Sequence, residues 1–148
     1  MGFRLKKLYQ FGMSIYKKYR EQISYLFFGG CTTLVNLATY FLVTRLTGVG
    51  ESLATVIGQI LSITFAYVTN KIWVFESKTN SIKELLREMV SFYGCRAVTF
   101  FLDLFVVTKL FIEILGYPDV SVKIIGNIVI ILLNYVFSKL WIFSKKNE

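Results

Sequence analysis

The chain has 148 residues, of which 55% are hydrophobic and 18% are charged, and its formal net charge at pH 7 is +8. An ordinary soluble domain of this length is excluded, because such a domain carries more charge and fewer apolar residues. A basic excess of this size is typical of proteins that meet an anionic membrane surface or nucleic acid, and the positions of the charges distinguish the two classes.

The first predicted element is an amphipathic segment over residues 1–22. Within it, Leu8, Phe11, Ile15 and Tyr19 recur at helical spacing among lysines. This pattern is typical of a helix that lies on an anionic leaflet. It is equally compatible with an N-terminal extension of the apolar stretch that follows.

Four apolar stretches come next, each long enough to cross about 30 Å of hydrocarbon as a helix. They are Ile23–Leu46, Leu53–Phe75, Met89–Ile112 and Val120–Phe143. Turn residues separate the first two stretches and the last two, whereas the middle separation, 76–88, is longer and charged. In this loop, Ser81 and Glu84 form a capping-box pattern. The predicted fold class is an all-α integral membrane protein with four transmembrane helices.

The lysines and arginines predict the orientation of these four spans. Of 17 such residues, 13 lie before the first span, between the end of the second and the third, or at the C-terminus. By the positive-inside rule, both termini, the loop 76–88 and the tail 144–148 are predicted to be cytoplasmic. The basic excess is therefore interpreted as a topology signal and not as a nucleic-acid surface.

The sequence repeats itself at an offset of 68 residues. "NKIWVFES" begins at Asn70 and "SKLWIFSK" begins at Ser138, and Gly58 aligns with Gly126 at the same offset. The first and third spans align less well, at an offset of 67. The chain is therefore predicted to consist of two parallel helical hairpins, because an even number of spans in each copy preserves the orientation. The two copies are residues 23–75 and 89–143.

Aromatic residues near the inner ends of the spans are predicted to lie at the membrane interface. Trp73 and Trp141 are placed for the aromatic belt, while Lys71 and Lys139 can extend toward the headgroups. Alternatively, these lysines contact an anionic lipid headgroup as part of the function. The predicted interface aromatics are Trp73, Phe75, Phe92, Trp141 and Phe143.

Charged residues lie inside the third predicted span, where a charge costs about 2.5–3.5 kcal/mol on insertion scales. Arg96 is followed seven residues later by Asp103, so both are predicted on one helix face. Their axial separation of about 10 Å is too long for a direct pair. The planar guanidinium of Arg96 suits phosphate. Lys123 lies at the start of the fourth span. Its side chain either extends into water or joins Arg96 and Asp103 in a polar path across the membrane.

Amide side chains at neighbouring depths complete this predicted polar path across the membrane. Each of them either hydrogen-bonds between helices or contributes to the path. The residues of the path are Asn70, Asn134, Asn36, Asp103, Asn127 and Gln59.

Several function classes lack the residues they need. The chain has no His, and Cys31 and Cys95 stand alone in apolar runs, so they are interpreted as packing residues and no metal site is predicted. No Gly-rich loop ending in Lys-Ser/Thr is present, so ATP is not the predicted driver. Without a nucleophile–base pair, the chain is predicted not to be an enzyme and to need no cofactor.

The stretches "FFGGCTTLVNLATYFLV", "CRAVTFFLDL" and the doubled "NKIWVF" and "SKLWIF" resemble the GtrA-like family, over about residues 24 to 144. The resemblance implies a small multi-pass protein of the bacterial cytoplasmic membrane. It also implies a flippase-type role in moving a sugar linked to polyprenyl (undecaprenyl) phosphate, for polysaccharide or cell-wall teichoic acid glycosylation. The chain is most similar to the Gram-positive teichoic acid members. It departs from the family at Asn36, where members often carry an acid.

The resemblance further implies roles for residues and partners. Arg96, with Lys123 or Lys71, is the predicted contact for the phosphate, and the amides of the polar path are the predicted contacts for the sugar. The implied partners are the sugar lipid, membrane lipids, glycosyltransferases and a second copy of the chain. Two alternatives stay open: a non-transporting scaffold for a glycosyltransferase, and a small multidrug-type exporter. The exporter is disfavoured because the first span carries no carboxylate.

Overall fold

The computed structural model describes residues 2–144, with the side chains at positions 2–5, 8 and 119 outside the description. The predicted tail beyond residue 144 and the side chain of Leu8 therefore lie outside the described residues. Throughout the described range the chain is helical, with turns between the helices and no β-strand. The all-α prediction is confirmed for this part of the chain.

Four α-helices follow one another along the chain, and three of them continue directly into π-helical segments. The α-helices are α1 (Gly2–Thr47), α2 (Glu51–Thr69), α3 (Ile82–Leu102) and α4 (Asp119–Phe137). The π-helical segments are Asn70–Val74 after α2, Asp103–Ile114 after α3 and Ser138–Ile142 after α4. The first and last of these segments begin 68 residues apart, which is the offset of the sequence repeat.

Helix α1 contains both the amphipathic segment and the first predicted span. Its backbone leaves helical geometry at Tyr19, with φ −114° and ψ 20°, so the helix is kinked there. Both alternatives for residues 1–22, a helix on the leaflet and an extension of the span, stay predictions. After α1, Gly48 adopts φ +65°, a left-handed conformation that glycine accepts without steric cost and that commonly ends helices.

Three of the described helices are long and apolar enough to cross a membrane. They are Tyr9–Thr47, Glu51–Val74 and Val120–Ile142, and they contain the first, second and fourth predicted spans almost completely. The third predicted span lies in α3 and its π-helical continuation, which carry Arg96 and Asp103. This helix is not among the three, so the count of four spans stays a prediction, as does the orientation of the termini.

The start of α3 is fixed by the predicted capping box. Ser81 Oγ accepts a hydrogen bond from the Glu84 backbone N–H at 3.2 Å, and Glu84 Oε2 accepts one from the Asn80 backbone N–H at 3.0 Å. Two N–H groups that have no partner within the helix are thereby satisfied. The predicted N-cap at Ser81 is confirmed and places the helix start at Ile82, whereas Glu84 bonds back to the N–H of Asn80, one residue before the N-cap, and not to that of Ser81.

The chain forms two compact units, Met1–Glu76 and Ser77–Glu148. In the first unit, α1 packs on α2 through a row of small or polar residues that occur at every fourth position and are all buried. They are Ala54, Gly58, Ser62 and Ala66 in α2 and Asn70 at the start of its π-helical continuation. Such rows allow the backbones of two membrane helices to approach closely. A methyl group at Gly58 would lie 2.6 Å from Asn36 Oδ1 and 3.2 Å from the Asn36 backbone oxygen, so a larger residue there would force the Asn36 side chain to move.

In the second unit, α4 packs on α3 and its π-helical continuation in a comparable way. Gly126 is buried, and a methyl group there would lie 2.5 Å from Val107 Cγ1. Asn134 and Ser138 follow on the same face of α4 and are also buried. Both units thus place a glycine at the close approach of their two helices, at positions 68 residues apart.

Candidate functional site

Arg96 is the charged residue of α3 around which the candidate site is built. Its guanidinium carbon lies 5.1 Å from the centre of the Phe92 ring, a cation–π contact one turn away on the same helix. Phe92 is 1% exposed and packs against Phe143, with ring centres 6.0 Å apart. Among the described residues, no carboxylate forms an ion pair with Arg96. This half-buried cation is therefore held by a ring and can receive an anion such as phosphate.

A second charged group joins the π-helical segment Asp103–Ile114 to α4. Lys123 Nζ donates a hydrogen bond to Thr108 Oγ1 at 2.6 Å and lies 3.8 Å from Asp103 Oδ2. Residues five apart would diverge by about 140° around an α-helix of 3.6 residues per turn. Hydrogen bonds between residues five apart, the π-helical pattern, bring Asp103 and Thr108 to one side instead. The π-helical geometry therefore supplies both oxygen partners of Lys123.

The charged residues of the second unit are arranged partly as the sequence predicts. Arg96 and Asp103 form no ion pair, in agreement with their predicted axial separation. Lys123, for which extension into water was one alternative, has its ammonium group engaged within the unit. Asp103 Oδ1 is buried and has no hydrogen-bond partner among the described residues. The carboxylate thus keeps one acceptor oxygen unused.

Asn134 is bonded to a residue that the sequence analysis did not select. Thr99 is 2% exposed and Asn134 is 6% exposed, and Thr99 Oγ1 donates a hydrogen bond to Asn134 Oδ1 at 3.0 Å. The bond joins α3 to α4, one turn beyond Arg96. The amide oxygen of Asn134 therefore already serves helix packing, which was one of the two alternatives for these amides.

The first unit holds two further amides of the predicted path. Asn70 begins the π-helical segment after α2 and is 3% exposed, and its Oδ1 atom has no hydrogen-bond partner among the described residues. Asn36 is half-buried, with its side-chain oxygen against Gly58. Lys71, next to Asn70, is half-buried as well. Within this unit, Asn70 is the buried group with an unused acceptor.

Gln59 and Asn127 are exposed on the surfaces of α2 and α4. Their side chains do not join the packed polar residues of their own units. The structure therefore does not bring these two members of the predicted path to a site.

The predicted interface aromatics divide into two groups. Trp73 and Trp141 are largely exposed, and Trp73 stacks on Phe28 with ring centres 5.6 Å apart. By contrast, the phenylalanines are buried: Phe75 against Tyr25, and Phe143 against Phe92. These three phenylalanine rings fill the space between the two helices of their units, and their position at the level of the membrane interface stays a prediction.

Two hydroxyl residues of the site, Thr99 and Thr108, were missed. A threonine inside an apolar helix carries a weak signal, because its hydroxyl usually bonds to a carbonyl of its own helix. The Cys95 and Arg96 carbonyl oxygens, each 3.1 Å from Thr99 Oγ1, are alternative acceptors for its one proton. Whether the hydroxyl also bonds to a residue of another helix depends on which face of its own helix packs against that neighbour. Across the described residues, no group of three or more His, Cys, Asp or Glu side chains could hold a metal ion.

Comparison with known proteins identifies a family whose members resemble most of the chain. Residues 24–143 match the family described as GtrA/DPMS, transmembrane domain. The cell wall teichoic acid glycosylation protein GtcA of Listeria monocytogenes serovar 1/2a is 42% identical over 124 residues, which cover 84% of this chain and 85% of the relative. GtcA of Listeria innocua serovar 6a is 43% identical over 123 residues, or 83% of each chain.

A third relative is a membrane protein of Bacillus subtilis strain 168, YwcD, described as uncharacterized. It is 36% identical over 124 residues, which cover 84% of this chain and 97% of the relative. No solved structure matches the chain.

Proposed function

The chain belongs to the family of the GtrA/DPMS transmembrane domain, and from this premise we propose that it serves the glycosylation of a cell-wall polymer by moving a polyprenyl-phosphate-linked sugar across the cytoplasmic membrane. The family resemblance read from the sequence is confirmed. Two relatives of more than 40% identity are named cell wall teichoic acid glycosylation proteins, which supports teichoic acid as the polymer. The apolar helices and the family together make the chain a multi-pass membrane protein.

The observation that carries the transport proposal is the environment of Arg96. A sugar phosphodiester has one negative charge, and burying that charge in hydrocarbon requires a cation with suitable donors. Arg96 is half-buried on the Phe92 ring and has no carboxylate partner among the described residues. The phosphate would pair with the charge of the Arg96 guanidinium and accept its hydrogen bonds, while the prenyl chain stays in the surrounding lipid.

Other polar groups would serve the head of the lipid during its passage. Lys123 holds Thr108 and the Asp103 carboxylate at present, so it would meet phosphate only by exchanging these partners. Asn70 offers a buried acceptor without a partner among the described residues, which suits a sugar hydroxyl. The proposed role is translocation without catalysis.

We also propose that the chain has four spans in two parallel repeats, with both termini cytoplasmic. Three structural pairs support the repeat: the π-helical segments at Asn70 and Ser138, the glycines at 58 and 126, and the ring pairs at each hairpin base. All of them recur at offsets of 67 or 68 residues. Internal repeats of this kind are common in transporters.

The transport proposal is tested with purified protein in liposomes that carry a fluorescent short-chain prenyl-phosphate sugar. The rate at which a membrane-impermeant reagent gains access to the label is measured for the wild type, Arg96→Ala and Arg96→Lys. Loss of a charge-assisted hydrogen bond is expected to slow exchange by about ten- to hundredfold in Arg96→Ala. Arg96→Lys should retain part of the rate, because charge is kept without the planar fork.

The matched control is Arg45→Ala, an exposed arginine in the last turn of α1 that should leave the rate unchanged. A wild-type rate equal to that of protein-free liposomes, with helicity intact, would reject translocation. It would favour the scaffold alternative, which is then tested by whether the protein co-purifies with a glycosyltransferase.

A further inference from the structure

Helix α1 is much longer than a membrane requires. Its 46 residues span about 69 Å at about 1.5 Å per residue, whereas the hydrocarbon core is about 30 Å thick. The apolar part after Arg20 is by itself long enough to cross. The preceding residues 6–19, here called the N-terminal arm, therefore lie outside the hydrocarbon core.

The N-terminal arm has one apolar and one basic face. Phe11, Ile15 and Tyr19 are four residues apart and lie on one side of the helix, and all three are exposed. Gln10 and Lys17 lie on the opposite side and are exposed as well. Among the side chains that the structure describes in the first unit, none covers the apolar face.

The charge of this part of the chain has a single sign. Six basic residues and no acidic residue occur among residues 2–20: Arg4, Lys6, Lys7, Lys17, Lys18 and Arg20. An apolar face beside a lysine-rich face is complementary to a leaflet whose headgroups are anionic and whose acyl chains lie just beneath.

The position of the kink places the arm at the membrane surface. The backbone bends at Tyr19, and the next residue, Arg20, forms an ion pair with Glu76 at 2.7 Å. Glu76 follows directly after buried Phe75, at the same end of the first unit as Trp73. Tryptophan is enriched at the level of the headgroups. The bend thus lies where the helix leaves the hydrocarbon.

From these observations we infer that the N-terminal arm is an interfacial helix that binds anionic phospholipid. The kink at Tyr19 turns the arm away from the axis of the span, and the pair between Arg20 and Glu76 secures the start of the span at that level. The apolar face enters the headgroup region while the lysines meet lipid phosphates. This role does not depend on movement of a sugar lipid.

The inference is tested with the full chain in vesicles. In a Cys31→Ser/Cys95→Ser background, a fluorophore is attached at Ile15→Cys on the apolar face or at Gln10→Cys on the basic face. Vesicles contain phosphatidylcholine alone or phosphatidylcholine with phosphatidylglycerol. With the anionic lipid at low salt, an aqueous quencher is expected to reach the label at position 15 several-fold less than the label at position 10. High salt, or Lys17→Gln/Lys18→Gln, should reduce that difference.

Equal quenching at both positions in the anionic vesicles would overturn the inference. Protection at position 15 that is insensitive to lipid charge and to salt would also overturn it. Protection that disappears when the protein is diluted in lipid would assign the apolar face to a second copy instead. Circular dichroism of each variant separates these outcomes from loss of helix.

Discussion

The hydrogen bond between Thr99 and Asn134 shows how one buried side chain can hold two helices together. Both side chains are almost fully buried, and the bond joins α3 to α4 within the second unit. With its partner removed, the Asn134 carbonyl oxygen would be left in an apolar environment, where an unsatisfied acceptor is costly. Thr99 is therefore expected to stabilise the helix pair.

Thr99→Val should destabilise the protein by about 1 kcal/mol, because the shape is kept and the donor is lost. Thermal unfolding in detergent, followed by circular dichroism, measures the effect. Thr33→Val is the matched control, since Thr33 is exposed and bonds only to a carbonyl of its own helix. Identical melting temperatures for the two variants would show that the bond contributes nothing to stability.

At the scale of helices, each unit depends on one close approach between backbones. Gly58 meets Asn36 in the first unit, and Gly126 meets Val107 in the second. Lipid offers little drive for helices to associate, so close packing and interhelical hydrogen bonds hold such pairs together. A side chain at either glycine would separate the helices.

Gly126→Ala is expected to cost about 1–3 kcal/mol through overpacking against Val107. Gly94→Ala is the matched control: a methyl group there meets nothing within 4 Å, so this variant should gain up to about 1 kcal/mol from helix propensity. Melting temperatures in detergent show whether each variant is less or more stable than the wild type. Adding Val107→Ala to Gly126→Ala should restore part of the loss, and a Gly126→Ala variant as stable as Gly94→Ala would refute the close packing.

The π-helical segments give the repeated signature its physical meaning. In both copies the segment begins just before the lysine and ends just after the tryptophan, and the phenylalanine that follows is buried. Phe75 and Phe143 accordingly pack between the helices, while Trp73 and Trp141 face outward. The signature is therefore a packing motif, and the anchoring of its tryptophans at the membrane interface stays a prediction.

For the whole molecule, the topology depends on whether α3 and its π-helical continuation cross the membrane. With four spans, the turn between α1 and α2 and the turn before α4 share one side, and the loop before α3 lies on the other. With three spans, the turn before α4 would share the side of that loop. The location of these turns therefore distinguishes the two topologies.

Single cysteines at Val49, Tyr117 and Lys78, in a Cys31→Ser/Cys95→Ser background, are expected to report this topology. In intact cells whose wall has been removed, an impermeant maleimide should label Val49→Cys and Tyr117→Cys at once. Lys78→Cys should react only after permeabilisation, because the positive-inside rule places it in the cytoplasm. If Tyr117→Cys and Lys78→Cys were labelled under the same condition, both before or both only after permeabilisation, the four-span arrangement would be ruled out.

Much of the fold was predictable because its signals are local. Hydropathy located three of the described helices, Ser81 and Glu84 fixed the start of α3, and the repeated signature marked both hairpin ends. Within the candidate site, the sequence singled out Arg96, Asp103 and Lys123, since charges stand out in apolar runs. The role assigned to each of them in binding a phosphate stays a prediction.

The sequence by itself therefore determined the membrane class, the approximate helices and the charged residues, because composition and spacing along one chain specify them. Only the tertiary structure decided which groups those residues meet. It directed Lys123 toward Thr108 and Asp103, paired Asn134 with Thr99, and buried Phe143 on Phe92. The physical reason is that these contacts depend on which helix faces meet, and in the π-helical segment on a turn wider than the α-helical period by which sequence patterns are read.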